Sequence, residues 1–501
     1  MVIGENRFLL KTVRARIRRA VSREEVSRSP GPFVGTISLP RAYFKQRTGR
    51  IFRLFAFSMH PRRAFARSRC VKTCAALVLS LFSVLPFSVS AVVAVDSGLS
   101  PERMVLLPVG GTSREDTEIA RWQERAREPK ATAGSFERLG WAFIAKARKT
   151  QDTGFYKLAE TAAVAMDARF GVTPESRLLR GHVMHNLHRF SEAEPLARAL
   201  VAERGLAWDY ALLSDILMEQ GRIDEAVAAC QRSMNLRPGA EAYARAAHFR
   251  WLRGDVPGAV EAMTQAMMAS SPRDGETYAW TLVRLSGYRL QLGQSQEAWQ
   301  LADKALTLVP DYAPAMLAAG RAGLARGDKT GAATTLKRAV ELNPLPEYRW
   351  WLADALRVSG DSAGAEAVEA ELILRGEAGD PRTLSLFLAS RGLFVERALS
   401  LAQAEGSARG DVFTHDALAW ALLASGDVAG ADKAMQAALA EKTKDARLFF
   451  HAGEIARRAG DVARAADHFA NAKSMSATLT PSEQDQLAAR TGALVSVAST
   501  N

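Results

Sequence analysis

The 501-residue chain carries 66 Lys and Arg against 54 Asp and Glu, a net charge of +12 at pH 7, and 48% of it is hydrophobic. The apolar share suits a soluble protein with a large core, and the charge invites a nucleic-acid reading. Its location removes that reading: residues 1–72 hold 18 basic and 3 acidic residues, which leaves residues 73–501 with a net charge of −3 and no basic face for phosphates.

Residues 1–58 are expected to be a basic leader, either disordered or upstream sequence translated from a start before Met59. From Met59, "MHPRRAFARSRCVKT" leads into 23 uncharged residues between Lys72 and Asp96, with small residues around Ala91 and Ala94. A basic stretch, an apolar run broken by Pro86 and a small-residue exit form the layout of a secretory signal over residues 59–94. About 20 apolar residues also suffice to span a bilayer, so an uncleaved anchor is the other reading. Either way the body is expected outside the cytoplasm, periplasmic, secreted or membrane-anchored. Membrane contact is then expected only through residues 73–95, if they stay uncleaved. Of three cysteines only Cys230 follows this segment, so the exported body has no intrachain disulfide. Residues 95–132 read as a linker with one short helix, opened by a capping box of Ser113 and Asp116.

From residue 133 to 479 the chain repeats. Alanines recur at Ala159, Ala193, Ala226, Ala259, Ala298, Ala332, Ala365, Ala398, Ala431 and Ala465, separated by 33 or 34 residues except for one interval of 39. The insertion "SSPRDGETY" near residues 270–278 accounts for the long interval. Each unit reads as two amphipathic helices joined by a turn in which Gly supplies φ > 0. Pro238, Pro310 and Pro344 stop second helices because the ring cannot continue the ladder. Gly181, Gly320 and Gly453 let neighbours approach closely. "RGD" at 253–255 shares its "GD" with four other repeats, so it is turn chemistry. A polar helix from Pro481 is expected to cover the last repeat, within a capping helix and tail over 480–501.

This pattern resembles the tetratricopeptide repeat, a 34-residue helix–turn–helix unit. Tyr210, Leu213, Leu217, Ala226 and Pro238 match it in one unit, and Phe449, Gly453, Ala465, Phe469 and Ala472 in another. The resemblance implies an all-α, right-handed solenoid of about ten repeats with a concave groove lined by first helices. It places Trp208, Trp251, Trp280, Trp350, Trp420, Phe387, Phe413 and Phe450 in the groove, with Arg321, Arg357 and Arg457. Aromatic anchors in a concave surface are how binding hot spots are built; the other reading is that these rings pack between neighbouring first helices.

"HVMHNLH" at 182–188 suggests a metal site. Repeat phase puts His182 and His185 in the groove but His188 in the turn, which breaks the triad. His182, His185, Asp215 and His248 remain as candidate ligands of a divalent ion. No H-E-x-x-H, G-x-S-x-G, Walker or paired-cysteine motif occurs, and Cys230 falls at a packing position. The expected function is therefore a non-enzymatic scaffold, without cofactor, that binds a protein or peptide in its groove. The alternative is a metal-handling protein built on the His/Asp set.

Overall fold

A computed structural model describes residues 98–498 apart from residue 151, and among these every regular element is helical. The leader and the signal or anchor of residues 1–94 lie outside the described residues. No described helix is long and apolar enough to cross a membrane.

Two helices precede the array, α1 (Pro101–Val105) and α2 (Arg114–Arg127). The capping box forms as expected: Ser113 Oγ accepts from the Asp116 amide at 3.2 Å and the Asp116 carboxylate accepts from the Ser113 amide at 3.0 Å. These helices do more than link. Val105, Ile119 and Ala126 are buried with Phe136 and Phe143 of the first repeat, covering the face it would otherwise expose. The Gln123 amide donates to the carbonyls of Val105 and Leu107, at 2.8 and 2.7 Å.

Ten helix pairs follow. Repeats 1–3 pair α3 (Ala133–Thr150) with α4 (Gly154–Phe170), α5 (Pro174–Asn186) with α6 (Phe190–Glu203), and α7 (Ala207–Glu219) with α8 (Ile223–Leu236). Repeats 4–6 pair α9 (Ala240–Leu252) with α10 (Val256–Ala269), α11 (Gly275–Gln291) with α12 (Ser295–Leu308), and α13 (Ala313–Ala325) with α14 (Lys329–Leu342). Repeats 7 and 8 pair α15 (Pro346–Val358) with α16 (Ser362–Gly379), and α17 (Pro381–Arg391) with α18 (Val395–Ala408). Repeats 9 and 10 pair α19 (Val412–Ser425) with α20 (Val428–Leu439), and α21 (Ala446–Arg458) with α22 (Val462–Ser474), before α23 (Pro481–Ala498).

Local chemistry sets each boundary. In the Gly-Asp turns the glycine takes positive φ, for instance 75° at Gly254 and 86° at Gly327. The aspartate then caps the second helix: Asp255, Asp328, Asp361, Asp427 and Asp461 each accept from the amide three residues on, at 2.8–2.9 Å. The ten repeat alanines are all buried, none more than 2% exposed. The insertion after residue 269 extends α11 to 17 residues, where most first helices have 13.

The array curls until its late connectors meet its early turns. The Gly410 amide donates to the Glu219 carbonyl at 3.0 Å, and Arg409 reaches Glu219 (3.4 Å) and His188 Nε2 (2.6 Å). One repeat further on, Thr443 Oγ1 donates to the Leu252 carbonyl at 2.6 Å and Arg253 pairs with Glu441 at 3.0 Å. The Gln291 amide donates to the Lys444 carbonyl. The approach is backbone-close: a Cβ on Gly221 would sit 2.1 Å from the Gly410 oxygen. At the end, Asp354 of α15 accepts from the Ser482 amide (3.1 Å) and hydroxyl, and from Arg357 (3.0 Å) and Arg391 (2.6 Å). The final helix thus joins repeat 7 as well as repeat 10.

Asp354→Ala takes a buried carboxylate from Arg391 and from the part-exposed Arg357, both of which keep Glu369, so the lost charged hydrogen bonds cost about 1.5–3 kcal/mol. Urea unfolding should report a loss of that size, and hydrogen exchange should accelerate at residues 479–490 while α5–α8 keep their protection. Unchanged exchange at the final helix would show that this contact does not hold it.

Candidate partner-binding cavity

The curled array encloses a cavity of about 480 Å³ beside the long helix α11. Trp280, Arg284, Gly287, Tyr288 and Gln291 line it from α11 at i, i+4, i+7, i+8 and i+11, one face of a helix. Arg321 of α13 and Glu347, Tyr348 and Trp351 of α15 form the next walls. Trp251, Phe413, Asp416, Asp445 and Arg447 arrive from α9 and from the late repeats. A carbon added at Gly287 would meet nothing within 4 Å, so α11 opens the cavity by omitting a side chain there.

The groove residues expected from repeat phase divide into four groups. Trp251, Trp280, Phe413 and Arg321 line the cavity. The Trp251 and Phe413 rings stack 5.5 Å apart across the closure, and Trp251 Nε1 donates to Gln291 at 2.8 Å. Trp208 is exposed elsewhere, beneath the Arg237 guanidinium at 5.4 Å. Trp350, Phe387, Trp420 and Phe450 are buried, each packed against a neighbouring first helix. Trp350 meets Phe387 edge-on at 5.5 Å, and Trp420 stacks on His451 at 3.9 Å with its Nε1 bonded to Ser390. Arg357 is spent on Asp354 and Glu369, and Arg457 on Glu454.

The metal candidates do not converge. Both Asp215 oxygens accept from Arg245, each at 2.8 Å, and His248 Nδ1 lies 3.1 Å from Arg284. His188 leaves the helix with φ 58°, as the repeat phase implied. Among the described residues no group of three or more His, Cys, Asp or Glu is placed to hold an ion. Cys230 is buried on α8, and burial pushes its thiol up to about 11.

Repeat phase pointed to none of Arg284, Tyr348 and Trp351. Arg284 was legible as the residue four on from Trp280 along α11. Arg447, which repeat phase puts at the late end of the groove, bonds Glu483 at 2.6 Å and stands 4.8 Å over Trp350. Charge in the cavity is mixed. Burial lowers Arg321, opposed by Glu347 at 3.7 Å, while burial raises the Asp445 carboxyl, which caps α21 through the Leu448 amide.

Burial holds His182 down at about 4, aided by His185 and opposed by Asp215, and holds His248 at about 3, aided by Arg284. A free histidine titrates near 6.5. The unfolded chain therefore takes up protons that the fold refuses once pH drops below 6.5, so this stability is present above 6.5 and lost as pH falls towards 4. Urea unfolding should show the wild type losing more stability between pH 7 and pH 5 than His182→Gln does. Equal losses would mean that His182 is not held neutral.

The tetratricopeptide-repeat family model matches residues 179–241, 284–345, 317–381 and 417–478. A comparison with curated proteins returns no match. Among solved structures the chain is similar to pilF of Pseudomonas aeruginosa, at 13% identity over 43% of this chain and 96% of that one, with a TM-score of 0.34. It is similar to human IFIT1 in a dimer with PPP-AAAA, at 12% identity over 74% and 97%, TM-score 0.41. It is similar to yeast Tom70, at 13% identity over 76% and 92%, TM-score 0.33. Likenesses this remote carry nothing about partners. The family match, the helix pairs and the period agree: the array of residues 133–474 belongs to the tetratricopeptide-repeat family.

Proposed function

We propose that the protein is a non-catalytic interaction scaffold, acting outside the cytoplasm, that takes a peptide or protein segment into the concave side of its array. The observation that carries this reading is the cavity itself, where Trp251, Trp280, Phe413 and Arg321 of the first helices and their connectors turn inward around an open volume. Aromatic rings in a partly wet concavity supply large contact area at low entropic cost. Closure of the array restricts the occupant to a narrow segment that enters beside α11, rather than one laid along all ten repeats. The uncharged run of residues 73–95 behind a basic stretch supports export. The near-neutral charge of the body supports a protein partner over a nucleic acid.

A photoactivatable phenylalanine analogue at Gly287 tests the site in living cells. It is expected to capture a discrete partner, with capture reduced at least tenfold by Trp251→Ala combined with Trp280→Ala. The same probe at exposed Lys337 of α14 serves as the comparison. Capture at Lys337 equal to that at Gly287, or no effect of the tryptophan changes, would move binding elsewhere. Sequencing the N-terminus of the mature chain checks export: a start just after Ala91–Ala94 is expected, and an intact Met1 or Met59 contradicts cleavage.

A further inference from the structure

Many interior arginines of this array are closely paired with carboxylates. Arg204 holds Asp209, Arg245 holds Asp215, Arg391 holds Asp354 and Glu369, and Arg447 holds Glu483, all at 3.1 Å or less. Arg284 instead meets the His248 ring at 3.1 Å and the Tyr288 ring at 5.7 Å. Arg321 lies 4.9 Å over the Trp351 ring, and its nearest carboxylate, Glu347, is 3.7 Å away. Its Nε is buried without a partner, and so is the Tyr288 hydroxyl. A guanidinium out of bulk water without a close anion is costly. Arg321 is such a group, and the half-buried Arg284 stands on the preceding first helix, both lining one cavity.

The acids in that cavity do not discharge this demand. Asp416 is bonded to His451 Nδ1 at 2.8 Å. Asp445 caps α21, and Glu483 is taken by Arg447. Glu347 is half exposed at its distance from Arg321. The aromatic surface open to an occupant is that of Trp280, Trp251 and Phe413, while Trp351 and Tyr348 are buried in the walls. The volume of about 480 Å³ falls within the range of roughly 300–1,000 Å³ usual for small-ligand sites.

We propose that this cavity binds a compact organic carboxylate with an aromatic body, its carboxylate on Arg284 and Arg321 and its ring against Trp280. This rests on the cavity reading above and names its ligand chemistry. The carboxylate supplies the close anion that Arg321 lacks, in the charge-assisted geometry that guanidinium favours. Two sources offer the group: a free aromatic acid, or the C-terminal aromatic residue of a partner chain.

Calorimetry on the full chain tests it with 3-phenylpropionate and its primary amide, and with Gly-Gly-Phe bearing a free or an amidated C-terminus. At least one free acid is expected to bind at least tenfold tighter than its own amide. Arg321→Gln and Arg284→Gln should each remove that preference, and Arg321→Lys should restore part of it. Gly287→Leu, built into open space, should block the acid while the thermal transition stays in place. A tighter free tripeptide assigns the source to a partner's C-terminus; tighter 3-phenylpropionate assigns it to a small molecule. Equal binding of acids and amides, or no binding by any probe at millimolar concentration, overturns the proposal whatever the variants do. Specific capture at Gly287 without a preference for acids leaves the scaffold reading standing and defeats this one alone. Loss of both defeats both.

Discussion

Close approach of neighbouring helices is the constraint from which the rest of the molecule follows. At Gly140, Gly181, Gly320 and Gly453, equivalent positions in first helices, an added Cβ would fall 2.3–2.6 Å from Leu179, Leu212, Leu336 and Phe469. No side chain fits there without moving its neighbour. Together with the buried alanine row, these positions set how near each helix lies to the next, and repeating the same offset bends the stack steadily. A helix pair has no apolar core alone; the core exists only between pairs, so the geometry of one junction is copied along the chain.

Repeated curvature brings distant residues together. Glu219 meets Gly410 and Leu252 meets Thr443, separations of 191 residues in both cases. That constant offset is the signature of a regular superhelix closing on itself after a fixed length. Closure converts an open groove into a bounded cavity and exchanges length of binding surface for enclosure. It also explains why the late connectors carry backbone donors and acceptors that bond to earlier turns instead of to water.

Much of this was legible in the sequence. The period, the Gly-Asp turns with their caps, the stopping prolines and the ten buried alanines all follow from local chemistry repeated in register. The fate of the aromatic residues was not. Groove phase says which way Trp350, Phe387, Trp420 and Phe450 leave their helices, but whether a ring meets solvent or the next helix depends on the distance between repeats. The aspartate of the candidate metal set is engaged for a related reason. Asp215 is bonded by Arg245, 30 residues later, and the same cross-repeat pairing joins Glu160 to Arg189, Glu175 to Arg204 and Glu194 to Arg222. Carboxylates that look free along one helix are neutralised by the next repeat. Asp445, in the connector before α21, reaches the cavity only through closure, which no local pattern encodes.

Hydrogen exchange at the Gly410 amide tests the closed array most directly. This connector lies between two repeats, where an amide without a partner would exchange at the solvent rate. The account predicts that Gly410 is protected to a level comparable with the flanking helices, because its proton is held by the carbonyl of Glu219. Exchange at the unprotected rate in the intact, folded chain would mean that the early and late repeats do not meet and that the cavity between them does not exist.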